Sequence, residues 1–210
     1  MRKILFFLSI LMGVTAFSQP PTNPSTAVNI YGIEGDRASL SITRGNGAAR
    51  IVIIKKDSPV TFSPVDGTSY LANTTFGDGQ EVAPGEFVIM SSASNNVTVA
   101  NLIPSSTYHI AIFEFNGSGI TSFYLVSPNL ISSFTTLSPP SVQATSSVIS
   151  NLNSNTLSLS WTPGNGAYSI VLAKEGSPVN ANPVDLTSYY AQNTFYQVNN
   201  GPAQIGVGNF

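Results

Sequence analysis

The sequence predicts an all-β protein built from tandem antiparallel sandwiches, the second of them truncated, and two observations support this fold class. No stretch beyond residue 18 sustains a helical period. Instead, short runs rich in Val, Ile, Thr, Tyr and Phe recur between Gly, Pro, Asn and Asp. In addition, residues 45–48 (Gly-Asn-Gly-Ala) return as residues 164–167, which lie 119 positions further along the sequence.

The repeat keeps this offset over a long span. Residues 58–60 (Ser-Pro-Val) match residues 177–179, again 119 positions apart. Residues 64–70 (Pro-Val-Asp-x-Thr-Ser-Tyr) match residues 183–189 at the same distance. A single offset held over such a length indicates duplicated domains rather than chance similarity.

The repeat sets the expected domain boundaries. Domain 1 is predicted at residues 25–137 and domain 2 at 141–210, with residues 138–140 (Ser-Pro-Pro) as the linker. Two consecutive prolines end the preceding strand, because proline cannot donate to a ladder, and they stiffen the junction. Domain 2 is expected to be incomplete, since Phe210 aligns with Phe87, where the fourth strand of domain 1 begins.

Seven short strands are predicted in domain 1, because alternating or apolar runs are separated there by turn signals. Seven strands with intervening turns indicate an antiparallel sandwich. The predicted strands are residues 27–31, 38–43, 50–55, 86–91, 97–102, 107–115 and 131–137. Domain 2 restarts with predicted strands at residues 142–149, 156–162 and 169–174.

One segment of domain 1 is too long for a simple loop. About thirty turn-rich residues separate Lys56 from Glu86, whereas unstructured loops rarely exceed about 12–15 residues. The segment recurs in the second copy, so it belongs to the fold. We expect a packed excursion over one sheet edge, with Tyr70 and Phe76 as its anchors.

The N-terminus has the features of a secretory signal peptide. Arg2 and Lys3 precede an apolar run at residues 4–14, which is too short to span a bilayer. Ala16 and Ser18 place small residues at the −3 and −1 positions of a cut before residue 19. We therefore expect residues 1–18 to be a signal peptide and the mature protein to be secreted or displayed on the cell surface.

The composition limits the classes of partner that we expect for the protein. The sequence has no cysteine, which excludes a lipid-attachment cysteine, disulfides and thiolate metal sites, so no membrane insertion is expected after signal cleavage. Only 9% of residues are charged and the net charge is −2, whereas charged residues make up about 25% of typical globular domains. Nucleic acid is not an expected partner, since no basic patch is present.

Two aromatic residues have predicted structural roles. Tyr108 follows Leu102-x-Pro104 and opens a strand whose alternate residues are apolar. Its hydroxyl can bond back to the upstream backbone, forming the corner found in such sandwiches. In domain 2, Trp161 ends the alternating series Leu157, Leu159, Trp161 and is expected to face inward.

These motifs resemble fibronectin type III domains. The longer pattern begins with Trp-Thr-Pro-Gly-Asn-Gly at residue 161, continues through Ser-Tyr at residue 188 and ends with Ile-Gly-x-Gly-Asn-Phe at residues 205–210. It is similar to type III-like repeats of secreted and surface proteins of Bacteroidetes-type bacteria. The resemblance implies a longer protein, often with a catalytic or adhesive region and a C-terminal sorting domain. Domain 1 departs from the pattern, because Ile42 stands where Trp161 stands and Arg44 where Pro163 stands.

The sequence does not predict catalytic, cofactor-binding or metal-binding residues. His109 is the only histidine and alternates with apolar Tyr108 and Ile110, so it should face away from the core. No Gly-x-Ser-x-Gly elbow is present. Asp66 and Asp185 occupy matched positions in the repeat, and an Asp followed two residues later by Thr fits a side-chain-to-backbone turn better than a catalytic carboxylate.

Aromatic residues give the only indication of a binding site. Phe123 and Tyr124 follow the loop Asn116-Gly117-Ser118-Gly119. Such a pair can stack on a sugar ring or contact a protein, or it can serve as a buried loop anchor, which is the commoner role of large apolar groups.

Three functions are compatible with these features. The first is a non-catalytic secreted β-sandwich module, a spacer or adhesion unit of a larger extracellular protein whose partner is a protein or glycan at the cell exterior. The second is an accessory region of a secreted hydrolase whose catalytic domain lies beyond residue 210. The third is a carbohydrate-binding module.

Overall fold

The computed structural model describes residues 19–185, 187 and 189, so the predicted signal peptide and the C-terminal end of domain 2 lie outside the described residues. The protein divides into two compact units, Met1–Leu137 and Ser138–Phe210. We refer to them as unit 1 and unit 2 and describe each separately. The division falls at the start of the Ser-Pro-Pro segment.

From residue 19 onward unit 1 is all-β, apart from one short 3₁₀ turn at Gly119–Thr121. Each of the seven predicted strands is present, although the fifth ends at Val99 because Asn101 has a positive φ of 61° and turns the backbone. The two additional strands, β4 and β8, are only 3 and 2 residues long. The strands are β1 Ala27–Tyr31, β2 Ala38–Thr43, β3 Ala49–Lys56, β4 Glu81–Ala83, β5 Glu86–Ser92, β6 Asn96–Val99, β7 Thr107–Asn116, β8 Phe123–Tyr124 and β9 Leu130–Thr135.

These strands form two antiparallel sheets that enclose the main core. One sheet has the order β1-β2-β6, and the other has the order β4-β5-β3-β7-β8, with β9 also paired to β7. Alternate residues of β2 point into the core, where Ile42 occupies the position of Trp161 in the repeat and is buried. The main core contains Ala38, Leu40, Ile42, Val52, Ile54, Ile89, Met90, Val97, Val99, Leu102, Tyr108, Ile110, Ile112 and Phe134.

The larger sheet is also covered on its outer face. Ile51 and Ile53 of β3 alternate with the core residues and pack in a second apolar cluster with Phe113, Tyr70 and Tyr124. Strand β3 is therefore buried on both faces. This explains its uninterrupted apolar run, since a strand with one solvated face alternates with polar residues.

The long segment between β3 and β5 is a packed excursion, as the sequence predicts. The Asn73 N–H donates to the Val88 carbonyl of β5 (3.1 Å), and the Phe76 N–H donates to the Ala100 carbonyl just after β6 (2.9 Å). The segment therefore bridges the open edge between the two sheets. Its two anchors lie on opposite faces of the larger sheet: Phe76 packs against the main core, and Tyr70 lies in the second cluster.

Unit 2 contains two paired strands in its described part, β10 Thr145–Ser150 and β11 Ser158–Thr162. The predicted third strand at residues 169–174 is wrong, because these residues are not in a strand. Its counterpart β3 is paired on both sides in unit 1, by β5 and β7. The described residues of unit 2 supply no such partners.

The sequence predicts that Trp161 faces inward, and the structure agrees with this only in part. With Leu159, Ile170 and Leu172 it lines an open cleft of about 530 Å³. The Trp161 side chain remains 38% exposed, whereas Ile42 at the matched position in unit 1 is 4% exposed.

Candidate functional site

The repeated Gly-Asn-Gly loop holds the segment that leads into unit 1. The Asn46 Oδ1 atom accepts hydrogen bonds from the backbone N–H groups of Thr22 (3.0 Å) and Asn23 (2.9 Å). The Asn46 Nδ2 group donates to the Thr22 hydroxyl at 2.9 Å. A Cβ on Gly45 would lie 2.0 Å from the Asn23 carbonyl oxygen, so only glycine permits this close approach.

The second copy of the loop makes the same contacts. The Asn165 Oδ1 atom accepts from the N–H groups of Ser141 (3.0 Å) and Val142 (2.9 Å), and its Nδ2 group donates to the Ser141 hydroxyl (3.2 Å). A Cβ on Gly164 would lie 2.0 Å from the Val142 carbonyl oxygen. The repeated motif is therefore a clamp on the incoming segment, and its partner could not be identified from the motif alone.

The other repeated motif also has one geometry in both units. The Tyr70 hydroxyl accepts a hydrogen bond from the Val65 N–H at 2.9 Å, and the Tyr189 hydroxyl accepts one from the Val184 N–H at 2.9 Å. Each tyrosine thus closes a loop over five residues. The Pro-Val-Asp-x-Thr-Ser-Tyr motif is explained by this closure and requires no ligand.

Asp66 has a structural contact, but not the local one that the sequence predicts. The Asp66 Oδ1 atom accepts from the backbone N–H of Tyr124 at 2.8 Å, 58 residues further along the sequence. The turn itself is closed by backbone, with the Thr68 N–H donating to the Val65 carbonyl at 3.2 Å. The carboxylate bonds across to β8 because that short strand leaves a backbone donor beside the loop. Asp185, the matched residue of unit 2, is exposed.

Of the two roles that the sequence leaves open for Tyr124, ligand contact and buried loop anchor, its burial fits the anchor. Its side chain is 5% exposed, and its ring lies 5.1 Å from Phe115 and 6.0 Å from Tyr70. The hydroxyl donates to the Thr68 carbonyl at 2.8 Å. Burial raises the pKa of Tyr124 above its ordinary value. Phe123 precedes it on β8 and is half-buried.

Tyr108 has the geometry of a sandwich corner. Its side chain is fully buried, and its hydroxyl accepts a hydrogen bond from the Ile103 N–H at 2.9 Å. Phe134 stacks on the ring at 5.7 Å between centroids, and Phe76 meets it edge-on at 5.2 Å. Burial also raises the pKa of Tyr108.

His109 lies in the middle of the larger sheet, between buried Tyr108 and Ile110, and is partly exposed. Its cross-strand neighbours are Lys55 on β3 and Ser133 on β9. Across residues 19–185, 187 and 189, no group of three His, Cys, Asp or Glu side chains is placed to hold a metal ion.

Glu86 is a buried carboxylate whose bonding the sequence did not reveal. Its Oε1 atom accepts from Lys55 Nζ (2.9 Å), the Thr61 N–H (3.0 Å) and the Thr61 hydroxyl (2.6 Å), while its Oε2 atom accepts from the Phe62 N–H (2.9 Å). Burial raises the pKa of Glu86, but the hydrogen bonds from Thr61, Lys55 and Phe62 outweigh burial, so the pKa is lowered. The carboxylate fixes the start of the excursion.

A second buried charge pair, Arg50 and Glu114, joins the clamp to the core. Both side chains are 0% exposed, and the Arg50 Nε atom lies 3.5 Å from the Glu114 Oε1 atom. The same Oε1 atom accepts from the Ser25 hydroxyl (2.6 Å) and the Gly45 N–H (2.8 Å). Neither charge could be recognised from the sequence, since Arg50 opens an apolar run and Glu114 lies within one.

One groove opens between β5 and β6, beside the excursion. It has a volume of about 510 Å³, a floor of Ile89, Met90 and Val97, and a rim that includes Thr74 and Thr98. None of its lining residues is charged. Met adapts to irregular neighbours, so this floor can accept an apolar side chain of varied shape.

The backbone of β6 faces this groove at Thr98. The Ile42 N–H donates to the Asn95 carbonyl, and the Ala100 N–H donates to the Thr74 carbonyl. Backbone groups alternate in direction along a strand, so Thr98 turns its N–H and C=O away from β2 and toward the open edge. The protein's own residues 74–76 already pair with Ala100 there, in parallel orientation.

No helix in the described part of the protein has the length and apolar character needed to cross a membrane.

Comparison with known proteins gives structural neighbours only. No protein-family model matches the chain, and no curated protein matches it. A redesigned β-sandwich protein is similar at 20% identity, covering 55% of this chain and 95% of that chain, with a TM-score of 0.37. A fibronectin type III domain of a human protein is similar at 15% identity (55% and 73% covered, TM-score 0.31). The third fibronectin type III domain of another human protein is similar at 13% identity (62% and 94% covered, TM-score 0.36).

Proposed function

We propose that the protein is a non-catalytic, exported β-sandwich module that acts as a spacer or adhesion unit of a larger extracellular protein. The proposal requires that the two units be tandem sandwiches of one repeat family. The matched clamps at Asn46 and Asn165 support the duplication, because they make the same three hydrogen bonds in both units.

The main support for the proposal is that the carboxylates and the aromatic residue considered as site candidates are bonded within the fold or buried. Asp66, Glu86 and Glu114 each bind backbone or hydroxyl donors of the fold, and Tyr124 is buried. A catalytic carboxylate must instead present an oxygen to a substrate, within hydrogen-bond reach of the proton it moves. The side chains best suited to chemistry are therefore occupied in holding loops to the sheets.

In an adhesion unit, the partner would bind unit 1 in the groove between β5 and β6. An extended, uncharged peptide fits its chemistry, since a strand added at an edge gains main-chain hydrogen bonds and side-chain pockets. The seating of residues 74–76 beside Ala100 supports this mode of binding. The same edge also suits a spacer, because β6 is only 4 residues long and short edge strands limit pairing with other chains.

The proposal is tested with purified protein that begins at residue 19. We expect no turnover on a panel of glycoside, ester and peptide substrates, and no glycan binding on an array. Turnover that is lost in His109→Ala or Asp66→Asn would overturn the non-catalytic assignment. Glycan binding that is lost in Phe123→Ala but kept in the exposed control Tyr168→Ala would favour a carbohydrate-binding module instead.

A further inference from the structure

Each Asn-Gly pair in the described residues uses its asparagine to hold an incoming segment. Asn46 binds Thr22 and Asn23, and Asn165 binds Ser141 and Val142. Asn116 is the third: its Nδ2 group donates to the Gln19 carbonyl at 2.7 Å, and its Oδ1 atom accepts from the Ala48 N–H at 2.8 Å. Asn46 and Asn116 therefore hold one segment, residues 19–25, which we name the strap.

The Asn-Gly dipeptide is chemically reactive because glycine has no Cβ to obstruct its own nitrogen. The backbone nitrogen of the glycine attacks the asparagine Cγ atom, the bond from Cγ to the amide Nδ2 breaks, and ammonia leaves a succinimide. Water then opens the ring and gives aspartate or isoaspartate. One water is consumed and one ammonia is released, with no change of oxidation state.

In the folded protein the strap opposes this reaction. For Gly47 to attack, the Asn46 side chain must swing back over its own backbone, which breaks all three of its hydrogen bonds to Thr22 and Asn23. Reaction then proceeds only from molecules in which the strap has opened locally. Each hydrogen bond shifts such an opening equilibrium by about fivefold, so three of them slow the reaction by about 100-fold.

Either product weakens the strap. At Asn116, a new carboxylate oxygen would face the Gln19 carbonyl oxygen in place of the present Nδ2 donor. At Asn46, the donor to the Thr22 hydroxyl is lost. Isoaspartate at residue 46 also inserts a methylene next to Gly47, where a Cβ would already lie 2.6 Å from the Glu114 Oε2 atom.

We propose that Asn46, Asn116 and Asn165 are deamidation sites guarded by the segments they hold, and that conversion of Asn46 or Asn116 promotes conversion of the other. The coupling follows from the shared strap, since loosening residues 19–25 removes the guard from both asparagines. Asn165 holds a different segment, residues 141–142, so its rate is independent of the other two.

The protein that begins at residue 19 is held at mildly alkaline pH. Peptide mapping then measures how fast each asparagine converts to aspartate or isoaspartate. We expect Asn46 to convert about 100-fold more slowly in native protein than in urea. In Asn46→Asp we expect Asn116 to convert about fivefold faster than in the wild type, as one bond to the strap is lost, with Asn165 unchanged in the same molecules.

Two controls keep the test decisive. If Asn46→Asp does not fold, Thr22→Val removes only the hydroxyl partner of Asn46 and should also speed Asn116. Conversely, Ser141→Pro, which deletes both an N–H donor to Asn165 and the hydroxyl that accepts from it, should speed Asn165 alone. Equal Asn46 rates in native and unfolded protein, or an Asn116-to-Asn165 ratio that Asn46→Asp and Thr22→Val leave unchanged, would overturn the proposal.

Discussion

At the scale of single residues, unit 1 is organised around a few polar atoms that lie inside apolar surroundings. The Glu86 and Glu114 carboxylates satisfy backbone donors from segments that are distant in sequence, and the Tyr108 hydroxyl satisfies the N–H of Ile103 in the loop just upstream. A buried donor left without a partner costs more than a formed hydrogen bond contributes. These residues therefore determine which loop packs where.

Replacement of Tyr108 by phenylalanine is expected to destabilise unit 1 by about 1–3 kcal/mol, because the Ile103 N–H loses its partner. Urea unfolding measures the change in the free energy of unfolding. Tyr31→Phe is the matched control, since that side chain is 48% exposed on β1. Equal stabilities of the two variants would contradict the corner geometry.

Glu86 is expected to make unit 1 sensitive to acid. Its pKa is lower in the folded than in the unfolded state. Its contribution is therefore present above the unfolded value of about 4.3 and is lost as the pH falls through the folded pKa. Glu86→Gln should lower the free energy of unfolding at neutral pH by about 1.5–3 kcal/mol and remove this part of the acid dependence.

The pH dependence of urea unfolding, measured from neutral to acidic pH, checks this expectation. Asp78→Asn changes an exposed carboxylate to an amide and should leave the acid dependence in place. A Glu86→Gln variant that loses stability on acidification as steeply as the wild type would show that the Glu86 carboxylate is not responsible.

At the scale of elements, the positions of the strands follow from alternation of apolar residues, and the long excursion follows from its length. Short β4 and β8 could not be predicted, because 2 or 3 residues are too few to show a period. Residues 169–174 have the apolar run of a strand but no ladder partner in the described part of unit 2. A strand depends on its neighbours as well as on its own sequence.

The clamp loops illustrate what a sequence repeat does and does not reveal. The offset of 119 residues identifies Gly45, Asn46 and Gly47 as important. It also aligns Pro20-Pro21-Thr22 with Pro139-Pro140-Ser141, yet neither pattern shows that the loop asparagine bonds to that segment. The buried charges could not be predicted either, because their burial also depends on contacts between distant segments. Burial of Arg50 and Glu114 depends on partners that only folding brings together.

Gly45→Ala is expected to dislodge the strap, because the added Cβ would lie 2.0 Å from the Asn23 carbonyl oxygen. The cost should be about 1–3 kcal/mol, the usual range for overpacking. Hydrogen exchange at the amides of Thr22, Asn23, Ser25 and Thr26 should rise locally. Gly35→Ala is the control, since its Cβ would meet its nearest neighbour at an ordinary 3.5 Å. Unchanged exchange in Gly45→Ala would contradict the clamp.

At the scale of the whole molecule, we expect export with removal of the signal peptide. Expression of the full sequence in a bacterium with a general secretory pathway should yield extracytoplasmic protein whose N-terminus is Gln19, by mass spectrometry. The motivating features are the basic start, the apolar run and the small residues at positions 16 and 18. Recovery of intact Met1 in the cytoplasmic fraction would show that residues 1–18 are not a signal.

The strap has a mechanical consequence for a protein that acts as a spacer. Tension applied from the N-terminal side of unit 1 reaches residues 19–25 before it reaches β1. The first bonds to be pulled are then those to Asn116, Asn46 and Glu114, which lie on loops and on β7, and not the ladder between β1 and β2. We expect these contacts to break before the sheets do, so a modest pull would lengthen the tether without unfolding the sandwich.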